Sequence, residues 1–310
     1  MKKKVLVSNI MMLKDVERFD RELRSLGYEP TFPDVDQFLS EAGLMKMVGE
    51  YDGWLAGDDQ ITRAVLKKAL PRLKVIAKWG TGIDSIDLVA AKEYGVPVLN
   101  SPGAFRDAVA EVAIAYMLDL SRHVALIDRS IRAGNWPKLA GGGLIGKKLG
   151  IIGFGAIGQG VAERALGMKM QVIAHDAFYS SPLKEFPDVA MESFDAVLSD
   201  SDFVCLCCNM TSENVHLIDE AALKKMQPNA MLINVARGPL IEEKALVDAL
   251  RNNNISGAGL DVFEKEPIEL NNELIKFDNV ILGSHNANNL ISATEYVHEN
   301  TLKNLKSILK

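Results

Sequence analysis

The chain has 310 residues, of which 48% are hydrophobic and 25% charged, which is the composition of a globular protein with room for two domains. Its formal net charge of −6 argues against a general surface for nucleic acid or anionic membranes. The apolar run after Lys2, Lys3 and Lys4 is too short for an export signal, and none of the others reaches membrane-spanning length. We therefore expect a cytoplasmic protein without nucleic-acid or membrane partners.

Residues 4–99 alternate short apolar runs with helical patterns. This alternation predicts a parallel sheet with helices between its strands. The predicted strands are 5–8, 54–56, 74–78 and 96–99, and the predicted helices are 16–26, 61–69 and 87–93.

From Asn100 the pattern changes to one long helix, predicted over residues 107–133 because apolar residues recur at helical spacing. The run of glycines at 141–143 then predicts a loop or hinge. An amphipathic helix, predicted over 294–309, closes the chain and could return to the first domain. We therefore expect a discontinuous domain of residues 1–99 and 285–310 and a second domain of residues 100–284.

The pattern G-x-G-x-x-G is supplied by Gly153, Gly155 and Gly158, between a short apolar strand and an amphipathic helix. The first glycine permits a tight turn, the second lets a pyrophosphate approach the backbone, and the third lets the helix pack close to the strand. Free N–H groups at the helix start, where Ala156 and Ile157 lie, favour phosphate together with the helix dipole. This stretch predicts a dinucleotide-binding site.

A second strand, predicted over 170–175, ends in Asp176, which lies 18 residues beyond the last glycine of the turn. A carboxylate there accepts a hydrogen bond from the 2′-hydroxyl of NAD but repels the 2′-phosphate of NADP. The sequence therefore predicts NAD as the cofactor. The alternative is that Asp176 is an ordinary solvated loop acid.

Further strands are predicted at 203–208, 230–235, 258–262 and 280–282, with a helix at 240–253. Arg237, the acidic stretch 261–266 and His285 each follow one of these strands. Because ligands bind at the carboxyl ends of parallel strands, we expect these groups to serve a site.

The three residue types suit the reduction of a 2-keto acid. A guanidinium holds carboxylate and carbonyl, and a histidine protonates the developing alkoxide while a carboxylate partner holds its tautomer. Arg237, His285 and Glu266 fit these roles. From spacing alone, an exposed arginine, a structural histidine and a solvated glutamate remain the alternatives.

Cys205, Cys207 and Cys208 lie together on a predicted strand. Metal sites use spaced ligands with histidine or carboxylate partners, which this stretch lacks. We expect small apolar residues on a buried strand, reduced thiols and no metal.

Two motifs, Asn-Val-Ala-Arg-Gly at 234–238 and Leu-Asp-Val-Phe-Glu-Lys-Glu-Pro at 260–267, together with the glycine turn, resemble the D-2-hydroxyacid dehydrogenase family. The resemblance extends over essentially the whole chain. It implies that Arg237 binds substrate, that His285 is the acid/base and that Glu266 pairs with it.

The resemblance also implies a fold of two doubly wound α/β domains, a Rossmann-type NAD domain and a flavodoxin-like substrate domain. Asp261 occupies the position that contacts the nicotinamide carboxamide, and Cys208, Val235 and Ala236 are further cofactor-binding positions. The family implies a homodimer, with residues 105–140 at the interface.

The stretch Lys78, Trp79, Gly80, Thr81 and Gly82 is similar to the substrate loop of phosphoglycerate dehydrogenases in that family. The implied role is that backbone N–H groups hold the substrate carboxylate. Lys78 is expected to bind a second negative charge of the substrate. The alternative is that it is a solvated lysine at a strand end. The substrate is therefore expected to be a small anionic 2-hydroxy or 2-keto acid, with 3-phosphoglycerate on one side and hydroxypyruvate or glyoxylate on the other.

Some positions depart from the family pattern. Ala156 replaces an arginine of the glycine turn, and Ser284 replaces the proline before the histidine, and these changes bear on the substrate more than on the reaction. An alternative of another class is a corepressor-like protein that senses NADH without turnover. Since the chain carries no basic tail or disordered extension to recruit partners, we expect an enzyme.

Overall fold

The computed structural model describes residues 2–310, and the chain divides into two compact units. The first unit runs up to Ala104 and resumes at Ile291–Lys310, and the second is Phe105–Leu290. Each unit is built on a parallel sheet with helices between its strands. The predicted fold class is therefore confirmed.

The strands follow the buried apolar runs of the sequence. They are β1 (Lys3–Val7), β2 (Tyr28–Thr31), β3 (Gly53–Ala56), β4 (Val75–Lys78), β5 (Val98–Leu99), β6 (Lys148–Ile152), β7 (Gln171–His175), β8 (Val189–Met191), β9 (Phe203–Leu206), β10 (Met231–Asn234), β11 (Gly257–Leu260) and β12 (Val280–Leu282).

In the first unit the strand order is β2-β1-β3-β4-β5, and in the second it is β12-β11-β10-β9-β6-β7-β8. The first is the flavodoxin-like order, and the second is that of a dinucleotide-binding sheet with one strand added. The order reverses between β1 and β3 and between β6 and β9, where such sheets bind ligands.

The sequence analysis missed β2 and β8. In β2 a proline and a glutamate interrupt the apolar pattern, yet Pro30 pairs with Val5 of β1. Because β2 is an edge strand, the missing N–H of the proline is tolerated there.

The helices are α1 (Ile10–Leu13), α2 (Val16–Ser25), α3 (Glu41–Met47), α4 (Arg63–Ala69), α5 (Leu88–Glu93), α6 (Arg106–Arg122), α7 (Val124–Arg132), α8 (Ala156–Gly167), α9 (Phe194–Asp200), α10 (Glu220–Lys225), α11 (Glu243–Arg251) and α12 (Ile291–Ile308). Many begin after a side chain that accepts a hydrogen bond from the first turn, which satisfies backbone N–H groups that have no partner in the helix. These caps are Asn9, Asp15, Ser40, Thr62, Asp87, Ser193 and Asp219.

The prediction of one helix over 107–133 is wrong, because His123 lies in the left-handed region (φ 57°, ψ 34°) and separates α6 from α7. Asp119 stabilises the break at both sides. Its carbonyl accepts from the His123 N–H at 2.6 Å, and its carboxylate accepts from the Ala125 N–H at 2.7 Å. The apolar spacing continues across the break, so periodicity alone does not reveal it.

The predicted domain boundaries need correction at both ends. Asn100 donates its side-chain amide to the Thr81 carbonyl at 2.7 Å, and the Ser101 N–H donates to the Gly80 carbonyl at 2.8 Å, so residues 100–104 join the first unit. Residues 285–290 stay with the second unit, because the His285 N–H donates to the Asp261 carbonyl at 2.7 Å.

The central strands β3, β4, β9 and β11 are buried at every position, as helices on both faces of a parallel sheet require. Cys205 lies fully buried on β9, as expected for a small apolar residue, while Cys207 and Cys208 follow the strand and are half-buried. Within residues 2–310, no helix is long and apolar enough to cross a membrane, and no group of three metal-ligating side chains occurs.

Candidate active site

Close contacts with the backbone require glycine at two positions of the turn between β6 and α8. Gly153 has φ +95°, and a Cβ added there would lie 2.4 Å from the backbone nitrogen of Cys208. A Cβ on Gly158 would lie 2.2 Å from the carbonyl oxygen of Gly153. Neither position can hold a larger residue without moving backbone, which explains two of the three motif glycines.

Gly155 differs from the other two glycines of the turn. It is exposed, and a Cβ added there would meet nothing within 4 Å, so the packing of the protein does not require a glycine. The open space lies directly before the first turn of α8, where Ala156 and Ile157 present helix N-terminal N–H groups. These features fit the pyrophosphate of a dinucleotide.

Asp176 follows β7 and is fixed against the glycine turn. One carboxylate oxygen accepts from the Phe154 N–H at 2.6 Å, and the other accepts from the Phe178 N–H at 2.8 Å. Because each carboxylate oxygen has two lone pairs, the oriented group can still accept from a ribose hydroxyl.

Cys208, a predicted cofactor-binding residue, lies against Gly153 at the start of the glycine turn. Burial raises the pKa of the Cys208 thiol to about 12, with a further contribution from Cys207. The thiol is therefore neutral near pH 7 and chemically quiet.

Arg237 follows β10 in a loop shaped by Asn234, which is fully buried at the end of the strand. The Asn234 side chain accepts from the Ala236 N–H at 3.0 Å and donates to the Arg237 carbonyl at 2.9 Å. The Arg237 guanidinium donates to the Ala236 carbonyl at 2.8 Å. Val235 and Ala236, also predicted to bind cofactor, are buried in the same turn.

Gly238 brings the arginine loop against the loop that carries Glu266. A Cβ on Gly238 would lie 1.8 Å from the carbonyl oxygen of Phe263, so only glycine allows this approach. Three residues later, Glu266 turns back and accepts a hydrogen bond from the Phe263 N–H at 3.0 Å. The two motifs recognised in the sequence are therefore neighbours in the structure.

His285 and Glu266 form the pair expected from the sequence, with Nδ1 of the histidine 2.8 Å from Oε2 of the glutamate. Both side chains are partly buried, with 31% and 24% of their surfaces exposed. A carboxylate at Nδ1 fixes the ring orientation and stabilises the imidazolium. Nε2 is then the nitrogen suited to exchange a proton with a substrate.

Asp261 organises the loop that presents His285. Its carboxylate accepts from the Asn286 N–H at 3.2 Å and from the Ala287 N–H at 2.9 Å, and its carbonyl accepts from the His285 N–H. These bonds stabilise His285 in a left-handed backbone conformation with φ 53°. Asp261 is only 2% exposed, and its predicted contact with nicotinamide stays a prediction.

The sequence analysis missed Tyr116, because it counts as one apolar residue among several in α6. Its hydroxyl lies 3.1 Å from Oδ1 of Asp261. Burial and the nearby Asp261 carboxylate raise the pKa of the Tyr116 phenol above its usual value, so it stays a neutral donor. A Cβ on Gly283 would lie 2.2 Å from the Tyr116 hydroxyl, so glycine at 283 makes room for this bond.

Lys78, at the end of β4, is not a solvated strand-end lysine, since only 3% of its surface is exposed. Its ammonium lies 2.9 Å from Oδ1 of Asp58 and donates to the Trp79 carbonyl at 3.0 Å. Asp58 follows β3, whose last residue, Ala56, pairs with Lys78 in the sheet. The sequence analysis missed Asp58, because nothing in the local pattern indicates a partner 20 residues away.

The rest of the predicted substrate loop is fixed through its carbonyl groups. Gly80 has φ +97° and accepts from the Ser101 N–H at 2.8 Å, and Thr81 accepts from the Asn100 side chain at 2.7 Å. Trp79 donates its backbone N–H to the Ala56 carbonyl at 2.9 Å, and Gly82 is half-buried. The predicted contact of this loop with a carboxylate stays a prediction.

The structure thus brings Arg237, Glu266 and His285 to the carboxyl ends of neighbouring strands in the second unit, which also carries the glycine turn. The residues from Lys78 to Gly82 belong to the first unit. A dinucleotide turn combined with an arginine, a histidine and its carboxylate partner defines an NAD-dependent dehydrogenase.

The sequence profile of the D-isomer specific 2-hydroxyacid dehydrogenase NAD-binding domain matches residues 114–287. The chain belongs to this family. It is therefore an NAD-dependent oxidoreductase that acts on the CH–OH group of hydroxy acids. The family expected from the sequence motifs, the enzyme class and the cofactor are confirmed.

Two relatives and one solved structure illustrate the similarity. A glyoxylate reductase from Thermococcus litoralis is 39% identical over 86% of this chain and 83% of its own length. A D-3-phosphoglycerate dehydrogenase of Arabidopsis thaliana is 40% identical over 82% of this chain but only 42% of its own length. The crystal structure of a glyoxylate reductase from Paecilomyes thermophila superposes with a TM-score of 0.87 at 29% identity, covering 99% of this chain and 95% of that one.

Proposed function

We propose that the protein uses NADH to reduce a small, unphosphorylated 2-keto acid, glyoxylate or hydroxypyruvate, to the corresponding 2-hydroxy acid. The observation that carries this proposal is the ion pair between the buried ammonium of Lys78 and the carboxylate of Asp58, whose side chain is 58% exposed. A phosphorylated substrate brings a dianionic group, which proteins usually bind with cations whose charge is available. The charge of Lys78 is already matched by a carboxylate.

The surroundings of Lys78 strengthen this argument. Asp59, next to Asp58, is fully buried. Burial raises the pKa of Asp59, while hydrogen bonds from Ser8, Leu39 and Gly57 oppose the rise. The positive charge of Lys78 also lowers the pKa of the Asp59 carboxyl. The ends of β3 and β4 therefore carry no excess of positive charge for a phosphate.

A named relative supports the same conclusion. The glyoxylate reductase of Thermococcus litoralis is 39% identical over 86% of this chain. The chemistry named for this relative requires no phosphate site.

In the proposed reaction the guanidinium of Arg237 binds the substrate carboxylate and orients the carbonyl. The backbone N–H groups of Thr81 and Gly82 are further candidates for binding a carboxylate. NADH, when bound, supplies the hydride that reaches the carbonyl carbon. His285 in its imidazolium form gives a proton from Nε2 to the carbonyl oxygen, and Glu266 stabilises the imidazolium until the transfer.

The residues of the glycine turn fit the cofactor. We assign the pyrophosphate to the N–H groups beside Gly155, at the first turn of α8, and the adenosine ribose to Asp176. Asp176 is held by two backbone N–H groups, so its negative charge has a fixed position against a 2′-phosphate.

We also propose that the protein is a homodimer through α7 and the segment that follows it. None of the residues of α7 is buried within the chain, and two of its apolar side chains, Val124 and Ile131, are 60% and 41% exposed. Trp136 and Ile145 are 80% and 76% exposed. Exposed apolar side chains of this density usually mark an interface. The predicted cytoplasmic location stays a prediction.

The proposed substrate is tested by following NADH oxidation with glyoxylate, hydroxypyruvate, phosphohydroxypyruvate and pyruvate. We expect turnover with the first two and a much lower kcat/KM with the phosphorylated acid. Efficient reduction of phosphohydroxypyruvate would contradict the substrate assignment. NADH binding without turnover of any of the four would favour a dinucleotide sensor.

A further inference from the structure

We infer that His298, on α12, is a positioning residue for substrate binding. In its neutral form it accepts the indole N–H of Trp79 and so holds the loop from Lys78 to Gly82 in the shape that binds the keto acid. This inference rests on the proposed function, since it assumes that the loop binds the substrate carboxylate. It adds a residue outside the proposed reacting groups that controls substrate affinity through its protonation.

The contact between the two rings is direct and buried. Nε1 of Trp79 lies 3.1 Å from Nδ1 of His298, and the ring centroids are 5.7 Å apart. Each residue is only 5% exposed. A hydrogen bond shielded from water in this way is expensive to break, because neither ring nitrogen gains a water molecule in exchange.

The indole determines the protonation of the histidine. A tryptophan side chain can only donate a hydrogen bond, so Nδ1 of His298 must act as the acceptor and carry no proton. The bond therefore exists only when His298 is neutral and protonated at Nε2. A doubly protonated ring would place one donor against another and release Trp79.

The groups around His298 favour the neutral ring. Phe19 of α2 packs against it with ring centroids 4.9 Å apart. Burial is the largest effect and lowers the pKa of His298 below its ordinary value, and Arg18 of α2 acts in the same direction. Three carboxylates raise the pKa of His298, namely Glu295 of α12, Glu22 of α2 and Asp15, which caps α2.

Arg18 limits the influence of these acids. It donates two hydrogen bonds to Glu295, at 2.9 and 2.7 Å, and one to Glu22 at 3.0 Å. These two carboxylates are therefore paired with a guanidinium. His298 stays neutral near pH 7 and becomes protonated only when the pH falls below the ordinary histidine value of about 6.5.

Three connections join α12 to the substrate loop, and of these the bond from Trp79 to His298 is the one that can titrate. In the second, Asn304 donates to the Asn100 carbonyl at 3.1 Å, and the Asn100 side chain donates to the Thr81 carbonyl at 2.7 Å. In the third, Asn300 donates to the Ser101 hydroxyl at 2.8 Å, and the Ser101 N–H donates to the Gly80 carbonyl at 2.8 Å. Protonation of His298 should therefore loosen one side of the loop without releasing it completely.

The consequence for the reaction is that the two histidines need opposite protonation states. Reduction consumes a proton from His285 and so needs the imidazolium, while the substrate loop needs His298 neutral. Acidification should therefore raise KM for the keto acid through His298, and kcat at saturating substrate should not fall through this residue.

The test compares the pH dependence of KM and kcat between pH 5.5 and 8 in the wild type, His298→Asn and Trp79→Phe. The asparagine oxygen can replace Nδ1 as the acceptor and does not titrate. We expect KM of the wild type to rise by about three- to tenfold on acidification, the equivalent of one hydrogen bond, and KM of His298→Asn to stay level. Trp79→Phe keeps an aromatic ring without the donor, and its KM should be raised at every pH. Parallel KM profiles of wild type and His298→Asn would overturn the inference.

A second measurement separates this inference from the proposed function. The protein has three tryptophans, so the indole N–H signal of Trp79 is assigned in an NMR spectrum by comparison with Trp79→Phe. We expect this signal to titrate below pH 6.5 in the wild type and not in His298→Asn. A signal that titrates while none of the keto acids is reduced would count against the proposed function and leave the Trp79–His298 contact supported. A signal that does not titrate would overturn the inference itself.

Discussion

The glycine turn after β6 and the substrate loop after β4 have a similar local structure but differ in what determines their shape. Each follows a parallel strand and has a glycine with positive φ, Gly153 at +95° and Gly80 at +97°. The turn is shaped by backbone contacts that exclude side chains. The loop is anchored by the side chains of Asp58, Asn100 and His298. This difference fits our proposal that the turn binds a common cofactor, whereas the loop sets the properties of one substrate.

This comparison predicts that changes at the glycine turn or at His285 lower kcat or the affinity for NADH, whereas changes around the substrate loop act on KM for the keto acid. The largest effect is expected for His285→Ala, which removes the proton donor. We expect kcat to fall by roughly 10²–10⁴-fold, with the NADH dissociation constant nearly unchanged. Steady-state kinetics and a fluorescence titration with NADH measure the two quantities. A variant that keeps most of its kcat would exclude His285 as the acid.

Gly158→Ala tests the steric argument for the turn. The added methyl group would lie 2.2 Å from the Gly153 carbonyl oxygen, so we expect the free energy of unfolding to fall by about 1–3 kcal/mol and NADH binding to weaken. Gly155→Ala is the matched control, because its methyl group has open space. It should keep the wild-type Tm and lose affinity for NADH only. Equal Tm values for the two variants would contradict this account of the turn.

Asp176→Ala should narrow the preference for NAD over NADP by about 1–3 kcal/mol in kcat/KM, since it removes one charged hydrogen bond and one repulsion. The preference is measured as the ratio of kcat/KM with NADH to that with NADPH. If this ratio does not change, the Asp176 carboxylate only holds the backbone N–H groups of Phe154 and Phe178 and does not select the cofactor.

Tyr116→Phe should have the smallest effect, because the residue acts only through Asp261. The Asp261 carboxylate keeps its bonds from the Asn286 and Ala287 N–H groups, so we expect a loss of about 1 kcal/mol, or roughly a fivefold lower kcat if the His285 loop becomes less well ordered. KM for NADH should stay within twofold. A lower Tm with an unchanged kcat would show that Tyr116 stabilises the fold without positioning His285.

The parts of the site that follow from local patterns could be predicted from sequence. The three glycines, Asp176 and the order of Arg237, Glu266 and His285 depend on residue type and spacing within one or two elements. The family resemblance then supplied roles that spacing alone left open.

The parts that depend on distant partners could not be predicted. Tyr116 and Asp261 are 145 residues apart, and Trp79 and His298 are 219 residues apart, so neither hydrogen bond leaves a pattern in the sequence. The break at His123 was missed for a related reason. It depends on the backbone conformation of one residue, while the apolar spacing continues on both sides.

The central claim is that the Lys78–Asp58 pair leaves no cation for a phosphorylated substrate. It is tested most directly by the ratio of kcat/KM for hydroxypyruvate to kcat/KM for phosphohydroxypyruvate, compared between the wild type and Asp58→Asn. We predict a ratio that favours hydroxypyruvate by more than about tenfold in the wild type and decreases when Asp58 loses its charge, because the Lys78 ammonium is then uncompensated. A wild type that prefers phosphohydroxypyruvate, with a ratio that Asp58→Asn does not change, would contradict the claim.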